Sequence, residues 1–243
     1  FRIQSGIKYA LSVFSNSGST YVPKDILLES AIKLLDISSE LIEENLTTLA
    51  FAGEIELDSL DGVPVVYQHF FYQAEQSVTY HIKRIMNGYM PPLAADPDNL
   101  INAAEADERI QLSGDQRKAI RAALTNKITI ITGGPGTGKT TIINLIVKIF
   151  KLMGISVALA APTGRAAKRI TETSGVEATT IHRLLEYVYS EDENEMEFGR
   201  NAENPLEEDS FIVDEASMID LMLMDGFLSA LEDDSRLIIV GDA

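Results

Sequence analysis

The hydrophobic pattern changes character along the chain, and its first 90 or so residues are organised by helices. Three segments, "IKYALSVF", "VPKDILLESAIKLL" and "SSELIEENLTTLAFAG", carry apolar residues at helical spacing, and the third ends at Gly53. The segment "EIELDSLDGVPVVYQ" then predicts two strands around the turn at Asp61–Gly62. Helices followed by a two-stranded wing predict a small winged-helix-like module over residues 1–90.

Two functions are open for this module. A winged-helix unit can bind DNA directly, or it can serve as a structural or protein-docking domain. Its third helix is acidic, with Glu40, Glu43 and Glu44 in one turn. Because acidic side chains repel a phosphate backbone, the structural interpretation is favoured.

From residue 112 onward, apolar strings alternate with helical segments. The strings "KITIIT", "SVALAA", "SFIVD" and "RLIIVGD" are nearly continuous, as is typical of strands buried on both faces. This half therefore predicts an α/β fold with a parallel sheet covered by helices. The turn-rich stretch "NGYMPPLAADPDNL" separates the halves. We expect a linker over 91–111, with "LINAAEADERIQ" as a linking helix, an α/β domain over 112–243, and a small hairpin insertion near 186–209.

Composition narrows the class of protein. Hydrophobic residues make up 45% of the chain, which has no cysteine and therefore no disulfide or thiolate metal site. No run of about 18 apolar residues predicts a membrane span, and a cytoplasmic location fits this composition. The first residue is Phe1 rather than Met, so we expect a piece of a longer protein.

The net charge of −17 argues against a broad basic surface for nucleic acid. Acidic residues concentrate between residues 186 and 209, where Arg200 is the one base. The acids there are Glu186, Glu191, Asp192, Glu193, Glu195, Glu197, Glu203, Glu207, Glu208 and Asp209. A polyanion must therefore be bound locally, by a few placed cations and backbone amides.

The strongest chemical signal is "GGPGTGKT", between a predicted strand and a predicted helix. It fits the phosphate-loop pattern G-x-x-x-x-G-K-[ST], in which glycines let backbone N–H groups surround a phosphate. Lys139 is expected to neutralise the β- and γ-phosphates of ATP, and the Thr140 hydroxyl to ligate Mg²⁺. The predicted nucleotide-binding residues are Gln116, Gly133, Gly134, Pro135, Gly136, Thr137, Gly138, Lys139, Thr140 and Thr141.

A second acidic signal, "FIVDEAS", places two carboxylates at the end of an apolar strand. Asp214 is expected to hold Mg²⁺, directly or through water. Glu215 is expected to orient and deprotonate the attacking water. The catalytic set predicted for ATP hydrolysis is therefore Lys139, Thr140, Asp214 and Glu215, with Thr140 and Asp214 as metal ligands.

Gln116 in "LSGDQRKAI" has two interpretations. Ser113 and Gln116 form the S-x-x-Q capping box of a helix start. A glutamine amide can also bind adenine through a paired donor and acceptor. One amide orientation does not serve both purposes, so the alternatives stay open.

Two further segments carry candidate contacts to a polyanion. In "APTGRAAKR", Thr163 and Gly164 begin a helix with free amides, and Arg165, Lys168 and Arg169 add charge nearby. "TTIHRLL" places His182 at another helix start. The first segment can equally be an ordinary basic amphipathic helix. His182 can equally be a histidine whose hydrogen bonds are satisfied at the start of its own helix.

Taken together, "LSGDQ", "GGPGTGKTT", "APTGRAAKR", "TIHRLL", "IVDEASMID" and "VGDA" resemble, in this order, the motifs of superfamily 1 DNA helicases. The resemblance is strongest to the 5′→3′ RecD-like branch, related to the exodeoxyribonuclease V alpha subunit. It covers about residues 110–243, and more loosely the helical region upstream. It implies a RecA-like phosphate-loop motor domain that uses ATP and Mg²⁺.

The resemblance also implies roles for individual positions. Gln116 would contact adenine, and the segment 186–209, with "YVY" and "MEF" as arms, would form a hairpin that splits duplex DNA. "VGDA" would begin a motif that continues with a γ-phosphate-sensing Gln, and a second motor domain would supply an arginine finger. Without these parts we expect at most weak Mg-ATP binding by this segment alone. The residues that would follow single-stranded DNA are Pro162, Thr163, Gly164, Arg165 and His182.

The leading hypothesis is an ATP-driven DNA helicase or translocase that acts on single-stranded DNA and duplex junctions. The alternative is a phosphate-loop ATPase that regulates or loads protein partners without stimulation by DNA. In a third interpretation, residues 1–90 are the working part, a binding module attached to a regulatory ATPase.

Overall fold

The structure, a computed structural model, describes residues 1–190 and 195–242. Within this range the chain divides into two compact units, Phe1–Ser77 and Val78–Ala243. The helix that begins at His69 runs across the division.

The first unit has the element order helix, strand, helix, helix, strand, strand. Its sheet is antiparallel, with the last strand between the other two. The predicted wing is confirmed: the two final strands pair across a turn in which Asp61 has φ +49° and Gly62 has φ +82°. Such a turn suits glycine and aspartate. The elements are α1 (Arg2–Asn16), β1 (Tyr21–Pro23), α2 (Lys24–Leu35), α3 (Ser39–Phe51), β2 (Ile55–Leu60), β3 (Val63–Gln68) and the start of α4 (His69–Asn87).

The helices of this unit bury one face each. Ile7, Leu27, Ile42 and Leu46 are almost completely shielded from solvent and pack in one cluster with residues of the sheet. The opposite side of α3 exposes Glu40, Glu43 and Glu44. The helix that a winged-helix unit would offer to DNA is therefore acidic on its surface.

The second unit is built on a five-stranded parallel sheet with the strand order β4-β10-β9-β5-β6. This confirms the α/β prediction and all four predicted strands. The fifth strand, β6, was not predicted, because three residues reading "ATT" carry no apolar pattern. The elements are α5 (Pro97–Glu108), α6 (Gly114–Thr125), β4 (Ile128–Thr132), α7 (Lys139–Leu152), β5 (Val157–Ala161), α8 (Gly164–Ser174), β6 (Ala178–Thr180), α9 (Ile181–Leu184), β7 (Tyr187–Ser190), β8 (Glu195–Phe198), β9 (Ser210–Val213), a 3₁₀ turn (Ala216–Met218), α10 (Leu221–Ser229) and β10 (Arg236–Gly241).

Both faces of this sheet are covered. Along β9, Ile212 joins one core cluster, which includes residues of α5 to α8. Its neighbours Phe211 and Val213 join a second cluster with α9 and α10. Because successive side chains of a strand point to opposite faces, the two clusters lie on the two sides of the sheet.

The limits of the two units differ from the predicted domains 1–90 and 112–243. Val78 and Ile85, on the second half of α4, pack into the second cluster of the sheet domain. Ile101 and Ala104 of α5, inside the expected linker 91–111, belong to its first cluster. The turn residues predicted a boundary near residue 90. In the structure, buried apolar contacts make the second half of α4 and all of α5 part of the second unit. The predicted domain boundaries at residues 90 and 112 stay a prediction.

The predicted hairpin near 186–209 is present as the antiparallel pair of β7 and β8. Its tip, residues 191–194, lies outside the described residues, and so do the predicted acids Glu191, Asp192 and Glu193. Throughout 1–190 and 195–242, no helix is both long and apolar enough to cross a membrane.

Candidate nucleotide site and nucleic-acid interface

The sheet brings the two ATP motifs to one edge. Strand β10 lies between β4 and β9, with Gly241 level with Thr132 and Ile239 level with Val213. All three strands are parallel, so the loop after β4 and Asp214 after β9 leave the same edge, two strand spacings apart. Neighbouring strands lie about 4.8 Å apart, which puts the two backbones about 10 Å from each other.

The phosphate loop runs from the end of β4 to Lys139, the first residue of α7. Gly136 and Gly138 have φ values of +78° and +88°, which glycine adopts without strain. A Cβ on Gly133 would lie 2.8 Å from the Thr137 hydroxyl oxygen. That hydroxyl donates a hydrogen bond to the Gly134 carbonyl oxygen at 2.9 Å. The curvature of the loop therefore requires glycine at these positions.

The Lys139 side chain lies over this loop. Its ammonium donates to the carbonyl oxygens of Gly133 and Gly134, at 2.5 Å and 3.1 Å. It also forms an ion pair with Asp242, with 2.5 Å between Nζ and Oδ1. Asp242 follows β10 directly, so a phosphate that approaches Lys139 must compete with this carboxylate. Sequence reasoning singled out "VGDA" as a motif but gave Asp242 no contact.

Gln116 serves both as a cap and as a brace for the loop. Its Oε1 accepts from the Ser113 backbone N–H at 3.0 Å, and its own N–H donates to the Ser113 hydroxyl, which completes the capping box. Its Nε2 donates to the Thr137 carbonyl oxygen at 3.0 Å. Gln116 therefore forms the predicted capping box, and its side-chain amide also contacts the phosphate loop directly. Adenine binding by Gln116 stays a prediction.

The acidic motif begins where β9 ends. The Asp214 backbone N–H continues the pairing with β5 by donating to the Ala160 carbonyl oxygen at 3.0 Å. Its carboxylate accepts from the Glu215 N–H at 2.9 Å. Glu215 has φ +55°, a left-handed conformation that costs a non-glycine residue about 1–2 kcal/mol. This sharp turn ends the strand and directs the chain into the 3₁₀ turn.

Gly241 connects the two motifs. Its carbonyl oxygen accepts from the Gly133 N–H of the phosphate loop, at 3.4 Å. A Cβ at this position would lie 3.4 Å from the Ser217 nitrogen and 3.6 Å from the Ala216 nitrogen. A Cβ here would therefore make ordinary van der Waals contact with the turn after Glu215, and the hydrogen bond of the Gly241 carbonyl is what joins β10 to the phosphate loop.

The donors at this edge suit Mg²⁺. The Thr140 hydroxyl and the Asp214 carboxylate are hard oxygen ligands, which Mg²⁺ prefers. Among the described residues, no group of three or more His, Cys, Asp or Glu side chains forms a metal cluster. Mg²⁺ that accompanies a nucleotide takes one or two protein oxygens and completes its shell with phosphates and water. The set therefore fits a magnesium ion that arrives with ATP.

The residues predicted to follow single-stranded DNA lie at the same edge, beyond β5 and β6. Ala161 is paired with Thr180 in the register, so Pro162 and His182 follow neighbouring strand ends. Thr163 caps α8 by accepting from the Ala166 N–H at 3.3 Å. Gly164, Arg165 and His182 are exposed. The five predicted positions are thus brought together.

Two contacts around this surface were not foreseen from the sequence. Arg169 of α8 pairs with Glu215, with 3.8 Å between Nη1 and Oε1. The ring of Tyr187 lies 5.4 Å from that of His182 and 5.0 Å from that of Phe198, between ring centroids. The first joins segments far apart in sequence. The ring contacts of Tyr187 could have been predicted, because "YVY" was already identified as an arm of the hairpin.

Comparison with protein families gives one model match, described as an AAA domain, over residues 116–243. The chain is 27% identical to the ATP-dependent RecD2 DNA helicase of Deinococcus radiodurans over 251 residues, which is 99% of this chain and 34% of that protein. It is 31% identical over 211 residues to the RecBCD enzyme subunit RecD of Haemophilus influenzae, covering 74% of this chain and 32% of that one. The chain thus spans about a third of the length of these curated relatives.

A solved structure, described as Bacteroides Pif1 bound to ssDNA, matches with a TM-score of 0.38 and 22% sequence identity, over 55% of this chain and 32% of that one. The family match covers more than half of the chain and includes the phosphate loop and the acidic motif. The second unit is a RecA-like phosphate-loop domain, and its relatives are RecD-like superfamily 1 proteins. This protein belongs to the AAA domain family.

Proposed function

We propose that this chain is part of an ATP-dependent DNA helicase or translocase that moves 5′→3′ along single-stranded DNA in recombination or repair. The observation that carries the proposal is the shared edge of the sheet. The phosphate loop, the acidic motif and the candidate DNA residues all follow the carboxyl ends of parallel strands in one sheet. Because both sites lie on one sheet, a change of conformation at the ATP site can be transmitted directly to the polynucleotide site.

At the nucleotide site, each side chain has a distinct task. Lys139 binds the β- and γ-phosphates once its ammonium leaves Asp242. Thr140 and Asp214 would hold a magnesium ion, which would supply positive charge to the phosphate oxygens. Glu215 accepts a proton from the attacking water. The left-handed backbone turn at Glu215 fixes the position of its Cα, from which the side chain reaches toward that water. Backbone N–H groups of Gly136 to Thr141 surround the phosphates.

At the polynucleotide site, the exposed cation and helix starts suit phosphodiesters. Arg165 and the first turn of α8 offer charge and free N–H groups, which bind phosphates without reading sequence. His182 and Tyr187 present aromatic faces on which bases can stack. The β7–β8 hairpin contains Tyr187, and in this proposal it would meet the duplex junction. Protein partners, as the name of the RecBCD relative suggests for that protein, are compatible with this scheme.

The test is the ATPase rate of the full-length protein with and without oligo-dT, beside unwinding of a tailed duplex. Lys139→Ala should abolish both activities together, and Lys151→Ala, at the far end of the same helix, should retain them. An ATPase that oligo-dT does not stimulate would favour the alternative, a phosphate-loop regulator or loader of protein partners. Unwinding that survives Lys139→Ala would refute the role of this lysine.

The wing module needs a separate test, because its surface helix is acidic. Deleting residues 1–77 should reduce unwinding only in part if the module is structural. A complete loss of partner or DNA binding with normal ATPase would instead make the module the working part of the protein.

A further inference from the structure

One ion pair connects the candidate DNA residues to the candidate hydrolysis residues. Arg169 lies on α8, whose first turn carries the predicted DNA contacts. Its Nη1 lies 3.8 Å from Oε1 of Glu215, the carboxylate expected to activate water. The two side chains are 73% and 33% exposed, so the arginine is accessible to a ligand while the glutamate is partly enclosed.

Arg169 lies on the same face of α8 as Arg165, so both side chains can reach the same phosphate group. Residues four apart lie on one helical face, about 6 Å from each other. Ala167 and Ile170 of the same helix are buried in the core, so α8 is anchored and both arginines project outward. Lys168 differs, because it pairs within the helix with Glu172, at 3.9 Å.

Glu215, the other residue of this ion pair, lies on a constrained segment of backbone. Glu215 occupies a left-handed turn between β9 and the 3₁₀ turn, and Gly241 packs against the residues that follow. Its carboxylate therefore changes partner by rotating the side chain. While Arg169 holds that carboxylate, one oxygen faces α8 and part of its negative charge is neutralised.

We propose that Arg169 is a positioning residue that couples DNA occupancy to ATP hydrolysis by holding Glu215 until a phosphodiester takes the guanidinium away. This inference rests on the proposed function. A phosphate bound at Arg165 lies within reach of Arg169, and a doubly hydrogen-bonded phosphate is a stronger partner than a carboxylate at 3.8 Å. The released Glu215 is then free to accept a proton from water.

The experiment compares the full-length wild type with Arg169→Ala, Arg169→Lys and Lys168→Ala. ATPase is measured without DNA and at saturating oligo-dT. Arg169→Ala should raise the DNA-independent rate about two- to fivefold, the size expected for loss of one exposed ion pair. Its rate with DNA should stay near that of the wild type, so the stimulation ratio falls by the same factor.

The controls separate coupling from general damage. The KM for ATP should be unchanged in Arg169→Ala, because the residue does not touch the phosphate loop. Arg169→Lys should retain part of the restraint, and Lys168→Ala should keep the wild-type ratio. Circular dichroism should show that all variants are folded.

Several results would overturn the inference. An unchanged stimulation ratio in Arg169→Ala, or an equal fall in both rates, would show that Arg169 does not restrain Glu215. A similar change in Lys168→Ala would reduce the effect to general charge on α8. If the wild type itself is not stimulated by oligo-dT, the proposed function fails, and that outcome differs from a stimulated wild type with an unaltered variant.

Discussion

At the scale of single residues, the phosphate loop depends on positions that tolerate no side chain. Gly138 has a positive φ, and a Cβ there would lie 2.4 Å from Nε2 of Gln116, which braces the loop. Gly134 lies in the same loop, but a Cβ there would meet no atom within 4 Å. The motif pattern fixes the glycine at Gly138 and leaves the position of Gly134 free, and the folded loop gives the physical reason for this difference.

We predict that Gly138→Ala destabilises the protein by about 1–3 kcal/mol, from left-handed strain and the collision with Gln116. Thermal unfolding without nucleotide measures this. Gly134→Ala is the matched control and should change the midpoint little. Equal effects of the two substitutions would show that the loop does not have the described shape.

Residue types alone gave the chemistry of the site but not its contacts. "GGPGTGKT" and "DEAS" are local patterns with a local physical meaning, so Lys139, Asp214 and Glu215 could be named in advance. The pairings Lys139–Asp242 and Arg169–Glu215 join segments 103 and 46 residues apart. Such pairs depend on strand order, which no local pattern encodes.

At the scale of elements, hydrophobic periodicity predicted the long strands and helices and failed at the margins. The three-residue strand β6 is too short and too polar to be recognised. Helices α4 and α5 read as the end of one domain and a linker, yet Ile85 and Ile101 are buried in the sheet domain. Their role is set by what they pack against, which is visible only in the fold.

Polar contacts also fasten elements, and the starts of β5 and β9 give an example. The Asp209 carboxylate accepts from the Ser156 hydroxyl at 2.6 Å and from the Ser156 backbone N–H at 2.7 Å. These hydrogen bonds, the hydroxyl's first, hold the pKa of Asp209 below its usual value of 3.8. A lowered pKa in the folded state means that the bonds stabilise the protein above the unfolded pKa, and that this stabilisation is lost as the pH falls through the folded pKa.

We therefore predict that Asp209→Asn lowers the free energy of unfolding at pH 7 by about 1 kcal/mol or less, since the carboxylate is exposed. The difference from the wild type should shrink as the pH is lowered below 3.8, where the wild-type carboxyl also becomes protonated. Urea unfolding at pH 7 and at pH 3 measures it, with Glu203→Gln as the control. A difference that grows in acid would contradict the assigned contacts.

At the scale of the whole molecule, charge limits how DNA can be bound. A net charge of −17 leaves only local cations for the phosphates, and Arg165 is an exposed cation in the first turn of α8. Affinity for single-stranded DNA should fall with salt by a slope of about −0.7 for each phosphate neutralised.

We predict that Arg165→Ala in the full-length protein makes this slope shallower by about 0.7, because one phosphate contact is lost. Fluorescence anisotropy of labelled oligo-dT at several salt concentrations gives the slope. Lys83→Ala removes the same charge from an exposed site on α4 and should leave the slope unchanged. Equal shifts in both variants would mean that overall charge, and not a placed contact, governs binding.

The central claim is that one Mg-ATP is held jointly by the loop after β4 and the carboxylates after β9. A crystal structure with Mg²⁺ and a non-hydrolysable ATP analogue tests it most directly. We expect the γ-phosphate on Lys139 in place of Asp242, the metal on the Thr140 hydroxyl, and Asp214 bound to the metal directly or through one water. A nucleotide bound elsewhere, or a metal about 10 Å or more from the Asp214 carboxylate, would contradict the account.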